Sequence, residues 1–162
     1  MSNPDIGRPI WIQLLLFTLL SLTSLVAVAT NATVVTSKIE GEFFDVANDI
    51  RAAIIGKGIN IAHELPASNM LNRTAPAYGY QTNTYSNART FEFCSAGISH
   101  KLARQNPDNI VLCPFTISVY SLTNEPGIVR ISYRILVGLP GSEAIIKEII
   151  TLISGIIEDA SW

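Results

Sequence analysis

The chain has few charged residues and no excess of basic ones. Of its 162 residues, 15% are charged, and the formal net charge is -2. Binding to nucleic-acid phosphates requires clustered Lys and Arg side chains that displace counterions. No such cluster is present, so we expect that nucleic acid is not a partner.

The sequence motifs of common catalytic sites are also missing. There is no G-x-S-x-G motif, which places a nucleophilic serine on a sharp turn. There is no C-x-x-C-H motif, so any haem would be bound non-covalently. We therefore expect a protein that is not an enzyme.

One long hydrophobic run lies near the N-terminus. Residues 10–29 contain no charged side chain, and a helix of this length crosses about 30 Å of hydrocarbon. Arg8 precedes the run and Lys38 is the first positive charge after it, which favours a cytoplasmic N-terminus. We predict that residues 1–31 are an anchor in a bacterial inner membrane, with lipid contact through residues 10–29. Residues 32–162 would then form a periplasmic domain.

The same run also fits a cleaved signal peptide. Ala29 and Ala32 each end a sequence of the small-x-small type that signal peptidases cleave. The apolar core of a signal peptide is usually shorter than this run, so its length favours an anchor that is retained. Both interpretations place the domain outside the cytoplasm.

The exported part has a regular alternation of strand and helix patterns. Strands are predicted where apolar and polar residues alternate, and helices where apolar residues recur every three or four positions. The last helix follows Ser142, which we expect to cap it. The predicted strands cover residues 32–40, 59–65, 89–94, 115–122 and 129–137, and the predicted helices cover residues 43–56, 68–73, 96–105 and 142–157. This order predicts an α+β fold with the helices packed on one face of a largely antiparallel sheet.

A long polar segment separates the second and third predicted strands. Residues 75–88 read as a loop that carries Tyr78, Tyr80 and Tyr85. Tyrosine is enriched at protein interfaces, since its ring covers area at low entropic cost and its hydroxyl finds a partner. We interpret the three tyrosines as partner contacts. The alternative is a surface loop whose tyrosines fold back onto their own core.

Residues 91–134 carry a distinctive order of features. A cysteine closes a strand, a short helix and an Asn-Pro turn follow, and a Cys-Pro pair leads into a hairpin; these are Cys94, Asn106-Pro107 and Cys113-Pro114. The pattern resembles the family called domain of unknown function 302, from about residue 34 to residue 157. The resemblance implies a compact α+β domain, often found in dimers, and it implies no catalytic residues.

Cys94 and Cys113 are the only cysteines of the chain. Exported proteins fold in an oxidising compartment, so we expect a disulfide between them. Two buried free thiols are an alternative, because cysteine is among the most buried residue types. A metal site is a further alternative, although two thiolates alone do not complete a structural zinc site.

His63 is predicted to point into the core. It lies between Ile61 and Leu65 in an alternating strand, which favours a core histidine that is hydrogen-bonded to the backbone. The functional alternative makes His63 an axial ligand of non-covalent haem or of copper. Met70 would then be the soft second ligand, since His/Met ligation is an electron-transfer arrangement.

These observations lead to two hypotheses of function. The first is a non-enzymatic accessory subunit that docks onto a larger integral-membrane complex, respiratory or photosynthetic. The second is a periplasmic binding module for haem, a metal or a small apolar ligand, built from His63, Met70 and the tyrosine-rich loop.

The length of the hydrophobic run leads to a first testable prediction. If the segment is a retained anchor, mass spectrometry of the native protein will find peptides from before Ala29. A mature N-terminus at Thr30 or Thr33 would show instead that the segment is a cleaved signal peptide.

Overall fold

The structure is a computed structural model in which residues 34–160 are described, so the predicted anchor lies outside the described residues. The strands are β1 (Val34–Glu40), β2 (Ile61–Leu65), β3 (Tyr85–Phe93), β4 (Phe115–Leu122) and β5 (Ile128–Arg134). The helices are α1 (Phe43–Gly56), α2 (Ala67–Thr74), α3 (Ala96–Gln105) and α4 (Glu143–Asp159), with 3₁₀ turns at Ala75–Tyr78 and Pro107–Leu112. No helix within residues 34–160 is both long and apolar enough to cross a bilayer.

The five strands form one sheet in the order β1-β5-β4-β3-β2, and every neighbouring pair is antiparallel. This confirms the predicted α+β class and the antiparallel sheet. Val34 pairs with Arg134, and Phe93 pairs with both Ile61 and Phe115, so these residues mark one end of the sheet, called here the Val34 end. Tyr85 pairs with Leu122 at the opposite end, called the Tyr85 end.

The core lies between one face of the sheet and the helices α1 and α4. Phe115, Ile117 and Val119 alternate along β4 and are buried, because α1 packs against this strand and α4 packs against α1. The apolar stripes of both helices turn inward, with α1 contributing Val46, Ile50 and Ile54 and α4 contributing Ile149, Ile153 and Ile156. Burying each such side chain stabilises the fold by about 1.5–3 kcal/mol.

The prediction that all helices lie on one face is wrong for α2. Ala88 pairs with Tyr120 and therefore lies on the face opposite the core, yet Ala88 is buried. Helix α2 contacts β3, and its Ser68 hydroxyl donates a 3.5 Å hydrogen bond to the Ala88 carbonyl. The helix thus covers one edge of the outer face. Its short length and mixed composition left no apolar stripe by which the sequence could assign it to a face.

Ser142 precedes α4 but does not cap it with its side chain, contrary to the prediction. Its buried hydroxyl accepts a 2.9 Å hydrogen bond from the Asn109 amide instead. The Asn109 oxygen accepts from the Leu139 backbone N–H at 3.2 Å, and its nitrogen also donates to the Leu102 carbonyl. Buried polar groups require such partners. This one side chain therefore joins α3, the 107–112 turn and the loop before α4.

An ion cluster stabilises the β4–β5 hairpin. Arg130 donates to the Glu125 carboxylate at 2.6 Å, and the Lys38 ammonium lies 3.7 Å from the same oxygen. The hydrogen bond from Arg130, together with both positive charges, holds the pKa of the Glu125 carboxyl below its ordinary value of 4.5. The folded state therefore favours the charged form of Glu125.

This cluster predicts a pH-dependent contribution to stability. Because the pKa of Glu125 is lower in the folded than in the unfolded state, its contribution is complete above pH 4.5 and is lost as the pH falls through the folded value. Glu125→Gln will lower the urea midpoint at pH 7, and the difference from the parent will shrink below pH 4.5. Glu158→Gln, at an exposed carboxylate on α4, is the matched control. A difference that persists unchanged at acid pH would contradict the prediction.

Candidate functional site

A cavity of about 440 Å³ lies at the Tyr85 end, between α2 and the chain that leads into β3. Its apolar wall comes from α2, the following 3₁₀ turn and the tyrosines, and consists of Met70, Leu71, Ala75, Tyr78, Tyr80 and Tyr85. Its polar wall consists of Asn72, Thr74, Thr82, Asn83 and Thr84. The cavity thus brings together four residues that the sequence singled out: Met70 and the three tyrosines.

Backbone hydrogen bonds fix the shape of the cavity. Gly79 has a positive φ of 81°, and the N–H groups of Gly79 and Tyr80 donate to the carbonyls of Pro76 and Ala75. The Asn72 amide donates to the Tyr85 carbonyl at 3.3 Å, which joins α2 to β3. Glycine adopts a positive φ without the steric cost of a side chain. The predicted loop is therefore a 3₁₀ turn followed by a short tethered segment.

Tyr78 and Tyr80 are the most exposed of the large apolar side chains that line the cavity. Their side chains are 76% and 67% exposed, whereas Tyr85 is only partly exposed. Tyr85 belongs to β3 and not to a loop, which corrects the predicted start of that strand. Its ring makes an edge contact with Tyr120, with ring centroids 5.6 Å apart. Tyr85 therefore has a structural role that Tyr78 and Tyr80 lack.

The cavity is electrically neutral. None of the residues that line it is Asp, Glu, Lys, Arg, His or Cys. General acid–base catalysis and nucleophilic catalysis by these groups require them within reach of the substrate. The arrangement suits the binding of a neutral apolar or aromatic group whose edge forms hydrogen bonds with the threonine and asparagine side chains.

A second hollow, of about 270 Å³, adjoins the cavity on the outer face of the sheet. Leu71 and Tyr85 line both spaces. Its floor is a row of hydroxyls, in which Thr90 and Ser118 lie 2.8 Å apart and Ser132 donates to Tyr120 at 3.2 Å. Both spaces therefore have walls that mix apolar and hydroxyl-bearing side chains.

His63 does not point into the core, contrary to the prediction. An irregularity in β2 between Ile61 and His63 shifts the register, so His63 pairs with Glu92 on the outer face and is exposed. A bulge inserts one residue and reverses the side-chain alternation that follows it, and the sequence pattern gave no sign of it. His63 does not line the cavity that Met70 lines. Their joint role as ligands stays a prediction.

The described residues offer no ready metal centre. No three side chains of His, Cys, Asp or Glu within residues 34–160 lie together as a metal site would require. The cavity also lacks a positive side chain to receive the propionates of a haem. The geometry therefore gives haem or metal binding no specific support.

The two cysteines lie at the Val34 end. Cys94 follows β3, Cys113 precedes β4, and the structure joins them in a disulfide with their Cα atoms 6.2 Å apart. This separation lies in the range that disulfides normally span. The Ser99 hydroxyl lies 3.3 Å from the Cys113 sulfur. The pairing agrees with the predicted disulfide. It links the two ends of the segment that contains α3 and the 107–112 turn.

These features define a small α+β domain with a neutral binding cavity and one disulfide. Residues 34–160 match the family described as domain of unknown function DUF302, and the chain belongs to this family. No curated protein matches the chain significantly. The fold is similar to that of a crystal structure of an uncharacterized conserved DUF302 protein from Bacillus stearothermophilus. That comparison has a TM-score of 0.65 and 15% identity, and it covers 78% of this chain and 97% of the other.

Sequence reasoning missed several residues of the site. Leu71 separates the cavity from the hydroxyl-lined hollow, and Asn72 holds α2 to β3. Met70 and Asn72 to Thr74 lie on a helix of only eight residues. So short a segment has no clear periodicity from which a cavity wall could have been recognised.

The disulfide leads to a testable prediction. Alkylation of the native protein without reductant will label neither cysteine. The closed loop spans a sequence separation of 19 residues, for which the chain-entropy model gives a stabilisation of about 3 kcal/mol. Cys94→Ser with Cys113→Ser will lower the free energy of unfolding by about that amount, and reduction of the parent will have the same effect. Labelling of both thiols in unreduced native protein would contradict the prediction.

Proposed function

We propose that the chain is a non-enzymatic accessory subunit, tethered by residues 10–29, whose exported domain docks onto a larger membrane complex. The docking surface is the tyrosine-lined cavity at the Tyr85 end. The observation that carries this proposal is the pairing of Tyr78 and Tyr80, both largely exposed, at the edge of a preformed apolar cavity.

The side chains around the cavity have the composition of a binding hot spot. Tyr78 and Tyr80 provide aromatic area, and the half-exposed Met70 and Leu71 extend it with adaptable apolar surface. Tyrosine is enriched among residues that dominate binding energy, and methionine is over-represented at interfaces. A neutral side chain of the partner that enters the cavity would be surrounded by these four residues.

Rigidity of the surface also favours binding. The hydrogen bonds of Gly79, Tyr80 and Asn72 fix the backbone around the cavity before a partner arrives. The Thr123 hydroxyl donates a 2.7 Å hydrogen bond to the carbonyl of Asn83, which is part of the polar wall of the cavity. A preformed surface loses less conformational entropy on association.

The proposed export of the domain limits which part of a membrane complex it could contact. Residues 32–162 would lie outside the bilayer, so the partner would be an extramembrane segment of the complex.

Substitution of the exposed tyrosines tests the docking surface. Tyr78→Ser with Tyr80→Ser will abolish co-purification of the full chain with its membrane partners in mild detergent. The melting temperature will hardly change, because neither ring is buried. Tyr85 is left intact, since loss of its contact with Tyr120 would cost stability of its own.

A matched control separates docking from general loss of apolar surface. Phe44→Ser with Ile55→Ser removes two exposed apolar side chains from α1, across the sheet from α2. This variant will keep its partners. Co-purification that survives loss of Tyr78 and Tyr80 would place the docking surface elsewhere.

The same cavity supports a second candidate function, a binding module for a small neutral apolar ligand. Its volume lies within the range of about 300–1,000 Å³ that is usual for small-molecule sites. Native mass spectrometry of the purified full chain would distinguish the two functions. A bound molecule of fixed mass that is lost from the variant lacking Tyr78 and Tyr80 would favour the module over the docking surface.

A further inference from the structure

Four exposed aliphatic side chains lie on two loops at the Val34 end. Ile110 and Val111 belong to the 107–112 turn and are 65% and 80% exposed, and Val137 and Leu139 lie on the loop that follows β5. We call these four residues the aliphatic tip. Neither the core nor the tyrosine-lined cavity includes any of them.

The two loops of the tip are fixed to each other by Asn109. The buried Asn109 side chain accepts a hydrogen bond from the Leu139 backbone N–H and donates one to the Ser142 hydroxyl. Asn109 directly precedes Ile110, so it connects the first loop to the second. The disulfide at Cys113 closes the first loop onto the end of β3. These bonds hold the backbones of the two loops next to each other, and each loop carries two exposed aliphatic side chains.

The tip lies at the end of the domain where the chain enters. Val34 pairs with Arg134, and Val137 follows Arg134 by three residues. Val111 precedes Phe115, at the start of β4, by four residues. Each connection spans at most about 14 Å, so both loops of the tip stay close to the Val34 end of the sheet.

The tether limits the distance between this end and a bilayer. In the sequence, four residues separate residue 29, the last of the hydrophobic run, from Val34. Even a fully extended chain spans at most about 18 Å over that stretch. If residues 10–29 cross the membrane, Val34 is therefore joined to the end of the span by a connection of at most about 18 Å.

We propose that the aliphatic tip inserts into the lipid surface. Ile110, Val111, Val137 and Leu139 enter the boundary between headgroups and acyl chains, which holds apolar side chains of peripheral proteins. This inference rests on the tether of the proposed function, but it is independent of docking through Tyr78 and Tyr80.

Fluorescence quenching by lipid tests the tip directly. The full chain is reconstituted into phosphatidylcholine vesicles that carry bromine on the acyl chains close to the glycerol. Val111→Trp places a reporter in the tip, and Phe44→Trp places one at an exposed position near the Tyr85 end. The emission of the parent, which contains Trp11 and Trp162, is subtracted. The emission added at position 111 will be lost on bromination, whereas the emission added at position 44 will not.

The outcomes separate the tip from the rest of the proposal. Vesicle flotation reports on the tether, and co-purification with partners reports on docking. If the chain floats but bromine leaves the emission at position 111 unchanged, the tip does not enter lipid, although the tether stands. If the chain does not float at all, the tether is refuted together with the tip. Equal quenching at positions 44 and 111 would also overturn an oriented insertion.

A charge variant provides a second readout. Val111→Glu with Val137→Glu will keep the chain in floating vesicles through the tether and leave its melting temperature unchanged, since both positions are exposed. In this background, the accessibility of the tip to a soluble protease will rise. Phe44→Glu is the control and will leave that accessibility unaltered. Loss of partner co-purification in the Val111/Val137 variant with no change in protease access would show that the tip contacts protein and not lipid.

Discussion

The packing of one sheet face against α1 and α4 is the interaction on which the other features depend. Phe91 and Phe93 from β3 meet Phe115 and Ile117 from β4 beneath the two helices, and all four side chains are fully or nearly fully buried. The antiparallel register of the two strands places these residues in adjacent pairs. Because this layer fixes the strands, it also fixes which loops emerge at each end of the sheet.

The two ends of the sheet differ in chemistry. At the Tyr85 end, aromatic rings and neutral polar groups surround a cavity, and backbone hydrogen bonds hold its walls. At the Val34 end, a disulfide and the buried Asn109 brace loops that carry exposed aliphatic residues. Aromatic side chains with polar edges suit a structured protein partner, whereas aliphatic side chains alone suit a fluid apolar phase.

The neutrality of the cavity links its structure to the proposed role. Several charged groups of the domain form exposed pairs, such as Lys101 with Glu148 and Lys57 with Asp159, and others form the Glu125 cluster. Exposed ion pairs contribute little to stability. None of these groups enters the cavity, so what the site can recognise is shape, apolar area and hydrogen bonding.

The sequence by itself determined the elements whose signal is local. Strand β4 and helix α3 were predicted with the observed bounds, since strict alternation and helical spacing each report on one buried face. The pairing of Cys94 with Cys113 was expected because the chain has no other cysteine.

The tertiary structure alone decided the features that depend on distant residues. The irregularity in β2 places His63 on the outer face of the sheet. The Ser142 hydroxyl accepts a hydrogen bond from Asn109 and does not cap α4, although a cap had been expected. Helix α2 settled on the outer face, where Met70, Tyr78, Tyr80 and Tyr85 could line one cavity. Each of these outcomes depends on contacts between segments far apart in the chain, which local periodicity does not encode.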